Sequence, residues 1–373
     1  MNLAKTNIMH VRNPRQPQSK FVFLFNWRTV NYCKSYRYLG ATLDEFLNFN
    51  KTAEVQAESA GRALGLLITK TIKNGGLPFS IYTMLFDCTV CSVSDYGAEI
   101  WGFESRDAIS KIHLRAARCF LGLPKHATSA GVLAEINWPE PVYRAQVRMV
   151  RQYFRIVKMG NSRLTKKVHL WDKNFSEQHN VQTWSSEIQD ILLTHNLENY
   201  FDPDLNFCGQ SVIVKLKESM SVKQNVDLQN VCQEKPKLRT FITFKEFGLT
   251  PCYITMPMPF LKRKFLALSR LSNLAIRLET GRYERPRLEE HLRLCKACND
   301  GISVENEFHV YFKCGLYENL RQNWISTLNV PVNFQDLPAA ERFNLIFNKP
   351  ENVKATAQYI IDAFNKRSKA VNV

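Results

Sequence analysis

The chain is short of negative charge. Its 373 residues carry 34 acidic side chains against 50 lysines and arginines, a formal net charge of +16. That excess goes beyond what solubility needs, and it points to a polyanionic partner, nucleic acid before an anionic membrane surface. Long apolar runs are also missing. The opening MNLAKTNIMHVRNPRQ has no apolar signal core, and the most apolar window, IYTMLFDCTVC, is short and interrupted by Asp87. Neither secretion nor a membrane span is indicated, so nucleus or cytoplasm is expected. No Pro-Asp with Glu-x-Lys grouping of a metal-dependent nuclease occurs, and no other catalytic constellation is seen. No catalytic residue and no small-molecule substrate is therefore expected.

What is present is the composition of a folded protein. A hydrophobic content of 45% with 12% aromatic residues, over this length, leaves room for two or three domains and a sizeable core. Ten cysteines in such a chain read as core residues plus one metal site rather than a disulfide framework. The metal site falls in RLCKACNDGISVENEFHVYFKC, where Cys295, Cys298, His309 and Cys314 lie within one short segment. Two thiolates two residues apart can grip one face of a zinc ion from a tight turn, which Asp300 and Gly301 supply. A His and a Cys five apart can close the tetrahedron from a short helix. Four protein ligands leave no open position, so one structural zinc is expected. The alternatives are unrelated free cysteines around a core histidine, or His291 replacing His309. A second C-x-x-C, Cys88 and Cys91, sits in an apolar helical run without a partner ligand and reads as structural.

In chain order, residues 6–11, 20–25 and 36–39 are strand-like runs ended by Gly40. Asn50 caps a helix through Lys73, with Val55, Ala60, Leu64, Leu67 and Ile68 at helical spacing. Pro78 opens another, with Ile81, Leu85, Cys88 and Val90 on its face, and residues 105–121 form a third. The stretch from Pro141 to Gly160 bears most on binding. Arg144, Arg148, Arg151, Arg155 and Lys158 recur at steps of four and three, within a sector of about 80° and without a carboxylate among them. Such a stripe suits phosphate contact, unless acids of another helix cover it. Residues 184–195 and 211–222 read as helices, with SVKQNVDLQN as a connector. A helix started by Pro259 and ended by Gly281 places Arg263, Arg270 and Arg277 at heptad steps, a second basic ridge. Residues 317–328 and 353–368 complete the helices.

KSYRYLGATLDEFLNFN, RALGLL, SDYGAEIWG and HLRAARCFLGLP, in that order, resemble the segment after the palm of non-LTR (LINE-like) retrotransposon reverse transcriptases. KLRTFITFK, FLALSRLSNLAIRLETGRY and the Cys/His segment are similar to the C-terminal region of the same elements. The resemblance implies a mainly α fold: a helical thumb-like bundle with a small N-terminal β remnant of a palm and a small C-terminal zinc-binding knuckle. It maps Tyr38, Leu39 and Gly40 onto the primer-grip turn, and Lys5 onto the palm lysine that protonates pyrophosphate. It assigns Cys295, Cys298, His309 and Cys314 to the knuckle. The segments expected are a palm remnant (1–45), a thumb-like helical domain (46–160), a helical connector (161–234), a basic helical region (235–290), the knuckle (291–322) and C-terminal helices (323–373). Polymerase chemistry needs two metal ions held by paired aspartates, and no Asp-Asp pair occurs. The expectation is a 5′-truncated element product that binds RNA or DNA without polymerase activity of its own. The alternative is a decayed or domesticated retroelement protein serving as an inert or protein-interaction scaffold.

Overall fold

The computed structural model describes residues 6–103, 106–201 and 208–371. It is mainly helical, with its named strands between residues 23 and 44. Among the described residues no helix is long and apolar enough to cross a membrane. The chain forms two compact units, each from three stretches: unit 1 from residues 1–66, 86–113 and 139–221, and unit 2 from 67–85, 114–138 and 222–373. The sequence suggests consecutive segments instead, and helices such as Asn50–Lys73 contribute residues to both units.

Unit 1 begins with two separate antiparallel hairpins. Strands β1 (Phe23–Phe25) and β2 (Arg28–Val30) pair across Asn26-Trp27, and β3 (Ser35–Tyr38) and β4 (Ala41–Asp44) pair across Leu39-Gly40. All four turn residues have positive φ, the geometry whose twist matches a two-residue hairpin. Gly40 is needed twice over, since its φ is +91° and a Cβ there would come within 2.9 Å of the Tyr96 ring. Two of the four strands, β2 and β4, lie outside the runs expected from the sequence. The expected strand at residues 6–11 reduces to a single bridge between Ile8 and Tyr32.

Helical packing fills the rest of unit 1. The first half of helix Asn50–Lys73 buries Ala53 and Ala57 against Ala98, Trp101, Ile109 and Ala145. A larger cluster joins Val150, Tyr153 and Phe154 of helix Pro141–Val157 to Ile188 and Leu192 of helix Trp184–Thr194 and to Val212 and Leu216 of helix Gly209–Gln233. Thr183 starts the middle one of these with a reciprocal capping box to Ser186. Helix Leu164–His179 is not legible in the sequence, because the residues it buries are the polar Lys166 and His169. After helix Phe79–Leu85 the chain continues as a π-helix, Phe86–Cys91. The α-helix buries Tyr82 and leaves Ile81 exposed, and the wider turn buries Phe86, Val90 and Cys91 and leaves Cys88 exposed, which corrects the face expected there.

In unit 2, helix Phe260–Arg270 packs along helix Pro350–Val371, which also receives helices Glu318–Ile325 and Ala339–Phe347. Aromatic rings fill the contact, with Trp324 stacked on Tyr359 at 4.2 Å and Tyr311 beside Phe343 and Phe347. The supposed connector SVKQNVDLQN is helical, part of Gly209–Gln233. It buries Gln224, Leu228 and Cys232 at four-residue steps, and Gln224 donates to the Trp138 carbonyl at 3.0 Å.

The second basic ridge does not exist as a surface. Its helix stops at Arg270, Ser272 turns the chain through φ +50°, and Arg277 starts a separate helix, Arg277–Thr280. Arg263 is buried over the Phe120 ring and donates to the carbonyls of Phe120 (3.0 Å) and Leu77 (3.2 Å). Arg270 is buried against Glu135, Nε to Oε1 2.5 Å, and its Nη1 reaches the Phe347 carbonyl and Asn348 Oδ1. Arg277 pairs with Glu284. Arg263 and Arg270 are interior, Arg277 is half-buried in its ion pair, and the three do not present a row of charges. Removing Arg270 would leave Glu135 an interior carboxylate with Lys245, at 4.0 Å, as its remaining cation and the Tyr253 hydroxyl as its hydrogen-bond donor. Arg270→Met should therefore cost about 3–5 kcal/mol, against less than about 0.5 kcal/mol for Arg151→Met on the surface. Urea unfolding midpoints measure the contrast, and equal small losses would contradict the assignment.

Candidate metal centre and basic surface

The metal-grade residues converge. The ligand atoms of Cys295, Cys298, His309 and Cys314 all lie within 4.8 Å of one another. Cys295 Sγ is 4.0 Å from Cys314 Sγ, and Cys298 Sγ is 3.4 Å from His309 Nε2. A tetrahedral zinc requires edges of about 3.8 Å between sulfurs and about 3.6 Å from sulfur to nitrogen, so the four atoms fit one ion. His291 lies outside the cluster, exposed and 3.5 Å from Glu289.

Local backbone chemistry places each ligand. Leu294 and Val304 form an antiparallel bridge, Cys295 donates its N–H to the Ser303 carbonyl at 2.8 Å, and Asn299 donates to the Cys295 carbonyl. The turn between them closes on Asn299 and Gly301, both at positive φ, while Asp300 Oδ1 accepts the N–H groups of Ile302 and Ser303. A hydrogen bond with the Ser303 side chain, and then those two backbone bonds, hold the Asp300 carboxyl well below its ordinary range. His309 sits on helix Glu307–Phe312, capped by Asn306, whose Oδ1 accepts the His309 N–H at 2.8 Å. The chain then folds back, and Cys314 donates its N–H to the His309 carbonyl at 2.7 Å. The hydrogen bond to Cys314, then burial, pushes the Cys295 thiol up to about 12, and the same bond lowers Cys314. A divalent cation would replace the proton that the two sulfurs share.

Two buried acids that sequence reading missed tie this segment to the rest of unit 2. Glu305 accepts from Arg367 at 2.7 and 2.8 Å and from the Arg277 N–H at 2.6 Å. Glu307 accepts from Arg239 at 2.9 and 3.2 Å. Only the Asn306 cap had a local signal, since the arginines lie 62 and 68 residues away in sequence.

The first basic stripe is partly at the surface. Arg148, Arg151, Arg155 and Lys158 are exposed along one side of Pro141–Val157 and its end, opposite the buried Val150, Tyr153 and Phe154. Among the described residues no carboxylate is within ion-pair distance of Arg148, Arg151 or Arg155. Arg144, expected in the stripe, is not part of the exposed row. It turns inward to Asp95 (Nε to Oδ2 2.9 Å), which also takes Arg106 at 2.8 Å, and its Nη1 faces His113 Nδ1 at 3.3 Å. The Tyr38-Leu39-Gly40 turn is an exposed hairpin tip whose Leu39 carbonyl accepts the Tyr96 hydroxyl at 2.6 Å. Lys5 lies outside the described residues.

No family model, no curated protein and no solved structure matches this chain.

Two outcomes follow from this geometry. Purified protein should carry one zinc per chain, and Cys295→Ser should lower both the zinc content and the unfolding temperature of unit 2. Elemental analysis finding no zinc in folded protein would contradict the centre. Burial, and then the Arg144 charge, pulls His113 down to about 3. An unfolded chain takes that proton near pH 6.5, so the neutral imidazole contributes stability that is full above pH 6.5 and lost as pH falls toward 3. Its loss should steepen the pH dependence by up to about 1.4 kcal/mol per pH unit in that window. His113→Asn should flatten the curve by that amount, as read from urea midpoints between pH 6.5 and 4.

Proposed function

We propose that the protein is a nucleic-acid-binding module of the non-LTR reverse transcriptase type, in which a thumb-like helical region grips the RNA or DNA backbone and a zinc knuckle braces the C-terminal part. The observation that carries this reading is the exposed Arg148, Arg151 and Arg155 row, cationic, with no carboxylate within ion-pair distance among the described residues, and mounted on a helix whose opposite face is locked in the core. Guanidinium groups held in a row by one rigid helix can meet successive phosphates without reordering the scaffold. Zinc, in this reading, has no chemical step to perform. It fixes the turn and helix of residues 295–314 against unit 2. No polymerase activity of the chain's own belongs to the proposal, since the sequence has no paired aspartates to hold two catalytic metals. Nucleus or cytoplasm is the compartment that goes with it.

A second reading, an inert or protein-interaction scaffold, draws on the arginines that turned out to be internal. Arg144, Arg263 and Arg270 are engaged by Asp95, by backbone carbonyls and by Glu135, so part of the basic excess serves folding. Salt dependence separates the two. Each neutralised phosphate contributes a log-log slope of about 0.7 to 0.9, and replacing Arg148 and Arg151 by Gln should lower the slope by about 1.5 with the fold intact. All sequences should weaken alike, because backbone contacts position a ligand without reading bases. A shallow wild-type slope, or a double variant binding as tightly as the wild type, would favour the scaffold.

A further inference from the structure

Helix Leu164–His179 of unit 1 is mounted with polar side chains inward. Lys166 Nζ donates to the Val157 carbonyl at 3.0 Å, His169 Nδ1 meets Ser185 Oγ at 3.0 Å, and Asp172 Oδ2 accepts the Ser185 N–H at 2.9 Å. Those bonds fix the rotation of the helix. In consequence Leu164, Val168 and Trp171 are 76%, 54% and 63% exposed, an apolar face that the folding of unit 1 leaves uncovered. Three rings run along it at one-turn intervals. Trp171 is stacked on Phe175, centroids 5.1 Å apart and planes at 22°, and Phe175 meets His179 at 4.5 Å. Phe175 therefore has a ring on each side, whereas among the described residues Trp171 stacks on no ring but Phe175, and the ladder is open at its Trp171 end.

Cations stand beside that open end. Lys167 and Arg163, both exposed, precede Trp171 by about one and two turns, roughly 6 and 12 Å along the axis. Among the described residues neither has a carboxylate within ion-pair distance. Of the two acids on the helix, Asp172 is engaged by Ser185, and Glu177 lies about 120° round the helix from Trp171.

We propose that this face is a stacking site for an unpaired base of a single-stranded nucleic acid, the base extending the ring ladder at Trp171 while Lys167 and Arg163 meet the neighbouring phosphates. The inference rests on the reading of the chain as a nucleic-acid-binding module, and it narrows the ligand from duplex to single strand. A planar apolar group joined to an anion is what a ring with a cation one turn away accommodates. An apolar protein face would suit Leu164 and Val168 but would leave the cations without a partner. A second copy would bring its own Lys167 and Arg163, and a further net charge of +16, to the same place. Rings already held face to face suit another flat ring better than the acyl chains of a bilayer.

The test is a titration of the full chain with a fluorescein-labelled oligothymidylate at fixed ionic strength, reading tryptophan emission and the anisotropy of the label together. Bound oligothymidylate should quench the emission. The chain has six tryptophans, and Trp171→Phe, which keeps a ring, should bind with little loss of affinity and without most of that quench. Trp171→Ala should weaken binding about tenfold, the effect of losing one stacked base, and an abasic strand of the same length should lose a similar factor on the wild type but no more on the Ala variant. A duplex should bind without the quench. Because Trp171 is exposed, neither change threatens the fold. Wild-type affinity in Trp171→Ala, or equal quenching by the abasic strand, overturns the proposal. So does a Trp171-dependent emission change that appears on concentrating the protein alone, or with phosphatidylserine vesicles and not with the oligonucleotide. Arg148→Gln with Arg151→Gln should lower the salt slope and leave the quench per bound strand unchanged. A normal salt slope without any Trp171 effect sinks the stacking site alone, whereas no binding of any nucleic acid sinks the module reading with it.

Discussion

Glu135 has no exposed surface, yet it accepts from Arg270 at 2.5 Å and from the Tyr253 hydroxyl at 2.8 Å, with Lys245 at 4.0 Å. Glu135 lies on helix Ser129–Ile136, its partners come from helices Phe260–Arg270 and Cys252–Thr255 and from the end of helix Phe241–Phe244, and Arg270 extends the network to Asn348. A carboxylate in an apolar interior is tolerable only while its cations hold their geometry, so each helix fixes the position of the others. The aromatic packing around Tyr311 and Trp324 adds burial, but rings alone permit sliding. Directional bonds to Glu135 set the register in which the rings meet.

The basic excess therefore has two uses that composition cannot separate. Arg144, Arg263 and Arg270 lie at helical spacings as regular as those of Arg148 and Arg151, yet the first three are interior or inward-facing and the last two are exposed. Periodicity reports which side of a helix a residue occupies. It does not report whether a segment distant in sequence supplies a carboxylate or carbonyl to that side. Asp95 and Glu135 decide the fate of Arg144 and Arg270 from 49 and 135 residues away, and the Phe120 and Leu77 carbonyls that of Arg263.

Local chemistry was far more legible. The metal ligands, the Asp300-Gly301 turn and the helix from Asn50 to Lys73 all follow from spacings of a few residues: the structure brings the four ligands together around that turn and has the helix. What escaped the sequence has little local signature. Helix Leu164–His179 buries a lysine and a histidine in place of an apolar stripe, and the π-turn at Phe86–Cys91 offsets the residues after it. The end of Phe260–Arg270 is a further case, since the heptad of arginines runs straight across a break made by Ser272. Pattern reading assumes a buried apolar stripe on an uninterrupted α-helical period; the first of these elements lacks that buried stripe and the other two break the period.

The interleaving of the two units also has a bearing on how the chain is made. Synthesis delivers residues from the N-terminus, but unit 1 cannot be completed before residue 221 has emerged, and unit 2 waits for helix Pro350–Val371. Stretches 67–85 and 114–138 emerge with apolar residues such as Tyr82 and Phe120 whose unit-2 partners, Arg263 among them, are still to be translated. A nascent protein of this topology spends most of its elongation without a finished core, forms many contacts between distant positions and folds late. Such a chain depends on protection from chaperones during translation more than one of the same length whose domains close one after another.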